Sequence, residues 1–151
     1  MLKIGKYVNT HGIKGEIRIL SNFSRKDLIF IPNFKIYIKD KEFIIKSYRA
    51  HKNYDMLILD GINNINDIIN LKGNDVYINR NDIKEFIVED LVEYKVKINN
   101  NYFKIKSIVD NKGQKLILLD NGKYIPYVKE FIMNINDLEK TINMNFPIDM
   151  L

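Results

Sequence analysis

The side chains able to do chemistry in this chain are few. It has two histidines, His11 and His51, and no cysteine. The missing thiol excludes disulfides, thiolate nucleophiles and Cys-based zinc sites together. Two imidazoles fall short of a metal site, because no spacing brings in a third nitrogen or carboxylate ligand. No Gly-x-Ser-x-Gly elbow, no Gly-Lys-Ser/Thr phosphate loop and no dinucleotide fingerprint is present. The expectation is a protein that is not an enzyme and needs no metal or cofactor. What remains is cationic: His11 with Lys14 and Arg18, then Arg49 with His51 and Lys52. Such side chains contact phosphates without reading sequence, through a term that salt weakens. The plainer alternatives are a hairpin connection at the first set and a solvated strand exit at the second.

The elements that must position these residues read as strands. Leu2 to Val8 is strand-like, Glu16 to Leu20 is another, and Gly12-Ile13-Lys14-Gly15 lies between them. With Gly5, Gly12 and Gly15 as turn-forming glycines, the stretch reads as a tight reversal carrying His11 and Lys14 at its rim. A Gly-x-x-Gly nucleic-acid clamp would need helices on both sides, which this setting lacks. Arg49, His51 and Lys52 end a later strand. If the first and fourth strands lie side by side, Lys14 and Lys52 share a face. Phe23, Phe30, Phe34, Tyr37, Phe43 and Tyr48 sit at strand spacing and read as core rather than as a stacking platform.

Charge is distributed unevenly. Residues 1–80 hold 14 Lys and Arg against 8 Asp and Glu, whereas residues 81–151 hold 10 against 11. The basic surplus of the first half suits contact with nucleic acid or a ribonucleoprotein, or else a solubilising face. No apolar run approaches the roughly 20 residues of a membrane helix. With no signal segment evident, the expected setting is the cytoplasm, or an organelle interior if a targeting segment has been removed.

Further along, Ser24 is placed as the cap of a short turn from Arg25 to Phe30, ended by Pro32. Phe34, Ile36 and Ile38 alternate with polar neighbours, Glu42 to Ala50 and Tyr54 to Asp60 follow as strands, and Asn66 to Leu71 reads as a short helix closed by Gly73. Val76 to Ile78 is a sixth strand, and six short strands suit a small closed barrel. The polar stretch after Ile78 marks a boundary: a domain over 1–80, a linker over 81–84, and a second domain over 85–151. The second begins with a one-turn segment around Glu89 to Val92. Hairpin signals recur in it at Asn99-Asn100-Asn101, Asp110 to Gly113 and Asp120-Asn121-Gly122. Pro126 must occupy a strand edge or bulge. The fold class is all-β, two small β-barrels in tandem.

In order along the chain, His11-Gly12-Ile13-Lys14-Gly15-Glu16, Arg49-Ala50-His51-Lys52, Leu71-Lys72-Gly73, Ile125-Pro126-Tyr127-Val128 and Phe146-Pro147 resemble the motifs of the ribosome maturation factor RimM family. The resemblance implies a translation-factor-like barrel followed by a PRC-type barrel. It implies a non-enzymatic assembly factor, acting as a monomer away from membranes, that binds the immature small ribosomal subunit and its 16S-type rRNA. The partner it implies is small-subunit ribosomal protein nineteen, in the subunit head. His11, Lys14, Arg18, Arg49, His51 and Lys52 are then candidate ribosome or RNA contacts. Phe86, Ile87, Pro126 and Tyr127 are candidate contacts to the ribosomal protein. In the family a pair of adjacent aromatics opens the second domain; here the pair is Phe86-Ile87. A general RNA-binding translation accessory, acting through the basic first domain alone, is the competing expectation.

Overall fold

The computed structural model describes residues 1–151 throughout and is all-β, with one short helix and several 3-10 turns. It divides into two compact units, Met1–Glu85 and Phe86–Leu151.

The first unit is a six-stranded antiparallel barrel. Its strands are β1 (Leu2–His11), β2 (Glu16–Leu20), β3 (Lys35–Ile38), β4 (Lys41–His51), β5 (Tyr54–Leu59) and β6 (Asp75–Ile78). They run round the barrel in the order β1-β2-β5-β4-β3-β6, and β6 closes back on β1. Alternating apolar residues supply the interior: Ile4, Tyr7, Ile17, Ile19, Ile36, Ile38, Ile45, Leu57, Leu59, Val76 and Ile78 are all buried. Closure leaves no free strand edge on which another chain could template.

The first strand is longer than its hydrophobic pattern suggests. It continues through His11 because Asn9, Thr10 and His11 pair with Arg18, Ile17 and Glu16 across the hairpin. Gly5 is not in a turn. It lies within β1, where a Cβ would stand 2.7 Å from the Leu20 carbonyl oxygen, so its role is close backbone approach. Gly12 and Gly15 do form the reversal, with φ of +74° and +88°.

Two helical expectations are corrected. The short helix α1 (Lys26–Ile29) is preceded by Arg25 at its N-cap position, not Ser24, and no side chain caps it. The helix expected over Asn66 to Leu71 is two 3-10 turns, Ile65–Asp67 and Ile69–Leu71. Ile68 divides them: it is fully buried, and its φ of −133° lies outside helical geometry. Gly73 takes the left-handed conformation, at φ +91°.

The second unit is a barrel-like six-stranded sheet around its own core. Its strands are β7 (Lys95–Ile98), β8 (Asn101–Asn111), β9 (Gln114–Leu119), β10 (Tyr124–Pro126), β11 (Ile132–Asn136) and β12 (Thr141–Met144). The order is β10-β9-β8-β7-β12-β11, with β12 parallel to β7 and every other pair antiparallel. Strand β8 turns the corner. Its residues 101–104 pair with β7 and 105–111 with β9, with a register shift between Ile105 and Ser107. A bulge bends a strand in this way and lets one sheet fold over a core. That core includes Val96, Ile98, Ile105, Ile117, Leu119, Ile125, Ile142 and Met144. Pro126 lies on β10, an end strand, where a missing N–H costs no ladder bond.

Candidate nucleic-acid interface

The two basic sets meet, though not by the expected route. Strands β1 and β4 are not neighbours; β2 and β5 lie between them. It is the β2–β5 pairing, with Arg18 opposite Met56, that sets the β1–β2 and β4–β5 hairpins side by side. On β4, Arg49 is also opposite Met56, and His51 is opposite Tyr54. Arg18, Met56 and Arg49 therefore form one row across three strands. Met56 is fully buried on that row, flanked by Arg18 and Arg49.

The contacts on this face form a connected set. The His11 and His51 rings have centroids 5.9 Å apart. Arg18 places Nη2 3.3 Å from His11 Nδ1, and its guanidinium carbon lies 5.0 Å from the centroid of the Tyr54 ring. Arg49 forks onto Glu16, with Nε donating to Oε2 at 2.9 Å and Nη2 to Oε1 at 2.7 Å. Lys14 and Lys52 are exposed at the two hairpin tips. Lys52 takes φ +57°, a conformation uncommon outside glycine.

Electrostatics follow from this crowding of cations round one carboxylate. The hydrogen bonds from Arg49 hold Glu16 below the usual carboxylate value, helped by the positive charge of Arg49 and the nearby imidazoles. His51 is pushed below the ordinary histidine value, first by desolvation and then by Arg49, Lys52, His11 and Arg18. It is thus a neutral ring at pH 7 within a cationic face. The Nε of Arg18 is buried and has no hydrogen-bond partner.

Two members of this set are not evident from residue type. Glu16 and Tyr54 become visible only once register is known, because their partners are 33 and 36 positions away in sequence. The pairing of Glu16 with Arg49 matters most. It neutralises one of the four Lys and Arg residues on the face and leaves Lys14, Arg18 and Lys52 outside that ion pair.

In the second unit, Phe86 and Ile87 separate in role. Phe86 is 37 % exposed and meets Tyr94 edge-on, with ring centroids 6.2 Å apart. Ile87 is 1 % exposed, and its N–H donates to Asp90 Oδ2 at 3.1 Å. Of the two neighbours, Phe86 is therefore the one with surface open to solvent. Tyr94, itself buried, is the aromatic that packs beside Phe86. Its hydroxyl donates to Asp137 Oδ1 at 2.6 Å, and Lys140 Nζ lies 5.0 Å from its ring centroid. Desolvation and the hydrogen bond to Asp137 push that phenol up to about 12. Pro126 and Tyr127 are half-buried, Tyr127 against the core of this unit.

A closed antiparallel barrel with a basic, imidazole-bearing face, followed by a second β unit with an exposed aromatic, defines an all-β protein of two units. Comparison with known proteins is consistent across the first unit. Residues 2–83 match the family model described as the RimM N-terminal domain. Proteins named ribosome maturation factor RimM from Staphylococcus aureus strains JH9 and Newman are 43 % identical over 93 residues. That alignment covers 59 % of this chain and 55 % of each relative, so the chain spans about half the length of the relatives it matches. Among solved structures, a 16S ribosomal RNA processing protein RimM from Pseudomonas aeruginosa is similar over 98 % of both chains, at 16 % identity and TM-score 0.48. The N-terminal domain of RimM from Thermus thermophilus covers 56 % of this chain and 94 % of its own, at 16 % identity and TM-score 0.47. The chain belongs to the RimM family.

Proposed function

We propose that this protein is a non-enzymatic ribosome assembly factor that binds the immature small subunit and assists maturation of its rRNA. The observation that carries the reading is the face on β1, β2, β4 and β5. There two histidines, two arginines and two lysines from distant parts of the chain converge on one outer surface of a barrel whose family is named for ribosome maturation. On this reading the first unit contacts rRNA phosphates through Lys14, Arg18 and Lys52, with His11, His51 and Arg49 beside them. Contacts of that kind position a protein without reading base sequence. The second unit engages small-subunit ribosomal protein nineteen through Phe86, with Pro126 and Tyr127 in support. A factor that binds one conformation of the assembling head more tightly shifts the population towards it, by no more than its difference in affinity.

The cations of the face all belong to the first unit, and this favours one second reading: a general RNA-binding translation accessory needing only that unit. Calorimetric titration of the full chain with the purified ribosomal protein separates the two. Saturable binding that is lost in Phe86→Ala supports the assembly-factor reading. No binding of the ribosomal protein, beside salt-sensitive binding of rRNA, overturns it in favour of the second.

A further inference from the structure

We infer that His11, Arg18 and His51 form a subsite for a single phosphodiester of RNA, and that the subsite takes up a proton from solvent as the phosphate enters. This rests on the reading that the face binds rRNA, and goes on to say how one part of it recognises a phosphate.

Arg18 Nη2 lies 3.3 Å from His11 Nδ1. A guanidinium has only donors, so Nδ1 of His11 must accept. In that contact Nε2 of His11 is the ring position left to donate to a ligand. His51 is disfavoured as a cation, first by desolvation and then by Arg49, Lys52, His11 and Arg18. The two rings have centroids 5.9 Å apart, close enough for one phosphate to lie against both.

The face carries more cations than anions. It holds a single carboxylate, Glu16 on β2, and Arg49 of β4 already occupies both its oxygens. The groups facing the two rings are Glu16 and Arg18 from β2, Arg49 from β4, Tyr54 from β5, and Lys52 from the turn after β4. The acidic residue of β5, Asp55, is engaged elsewhere, by the Tyr48 hydroxyl at 2.7 Å and Lys26 Nζ at 2.8 Å. Arg18 also keeps a buried Nε–H without a partner, a donor whose unmet hydrogen bond an incoming oxygen can satisfy. A phosphate at this point reverses the local balance. It opposes the cations that keep His51 neutral, and an opposite charge within about 4–6 Å favours the charged form by about 1–3 pH units. Binding and protonation are then linked, and the phosphate binds more tightly as pH falls.

The test is the affinity of the full chain for a fluorescein-labelled RNA hairpin, at fixed salt, between about pH 8 and about pH 5.5. A shift of one unit in one histidine gives about tenfold tighter binding across that range. The double variant His11→Gln, His51→Gln should lose that gain while keeping the cations that bind at pH 8. Calorimetry of the unaltered protein in two buffers of different ionisation heat supplies a readout that needs no variant, and for that one-unit shift should show up to about half a proton taken up per complex. RNA binding with no proton uptake and no pH dependence overturns the subsite and leaves the rRNA-binding reading standing. A pH gain that persists in the double variant, with no change in the protons counted, also overturns it. Absence of RNA binding at any pH, even at low salt, overturns the rRNA-binding reading and the subsite with it.

Discussion

Replacing Glu16 with Gln should make this protein a stronger and more salt-sensitive RNA binder. The carboxylate now occupies the Nε and Nη2 donors of Arg49, at 2.9 and 2.7 Å, and cancels its charge at close range. With Arg49 held in this way, the proposed reading leaves three cations of the face to meet phosphates: Lys14, Arg18 and Lys52. Each phosphate neutralised contributes about 0.9 to the slope of log affinity against log salt for duplex nucleic acid, so three give about 2.7. Affinity should then fall about 40-fold between about 50 and about 200 mM salt. The Glu16→Gln substitution keeps the size of the side chain but removes its charge, freeing Arg49 as a fourth contact. The slope becomes about 3.6, and the same salt change costs about 150-fold. Fluorescence anisotropy with an RNA duplex, read at several salt concentrations, measures both slopes. An unchanged slope, or weaker binding at low salt, would refute the idea that Glu16 holds Arg49 in reserve.

Other perturbations follow from the same geometry. Gly15→Ala should cost more than Gly12→Ala in urea denaturation. Both have positive φ, about 1–2 kcal/mol of strain for an L-residue. Only Gly15 would also press a Cβ to 2.9 Å from Ile62 Cγ2 and 3.0 Å from the Asn64 carbonyl oxygen. Equal losses would contradict that contact argument. In the second unit, Ile87→Ala should destabilise by about 2–5 kcal/mol as a buried truncation, whereas Phe86→Ala, at a half-open position, should affect stability much less. The reverse order in thermal denaturation would show that the exposed and buried members had been misassigned. Acid titration of stability has a defined sign. Glu16 is lowered in the folded state, so its contribution is complete above the ordinary carboxylate value of 4.5 and lost as pH falls through the lower folded value. His51 is also lowered, so stability falls as pH drops below its ordinary 6.5 and the unfolded chain takes up the proton first. Glu16→Gln should flatten the first limb and leave the second.

Much of the architecture was legible in advance because it is written in local patterns. The alternation of Ile36 and Ile38 with polar neighbours, the glycines at 12, 15 and 73, and the edge proline at 126 each follow from backbone sterics or period-2 burial. Local patterns were weaker where tertiary pairing decides. Strand β1 extends through His11 because Arg18 and its neighbours pair with it, and no propensity of Asn9 or Thr10 announces that. The expected Asn66–Leu71 helix is split because the barrel takes up Ile68. The basic residues of the face were evident from type and spacing, but their convergence required the β2–β5 register. That register also exposed the Glu16–Arg49 fork and the place of Tyr54. In the second unit Phe86-Ile87 read as a pair of neighbours, whereas in the structure Phe86 is exposed beside Tyr94 and Ile87 is enclosed.

The central claim is that the molecule recognises an assembling small subunit. The most direct measurement is co-sedimentation of the full chain with immature and with mature small subunits at matched salt. Tighter binding to the immature particle is expected, weakened by Arg18→Ala and by Phe86→Ala separately. Equal binding to both particles, or binding that survives both substitutions together, would contradict it.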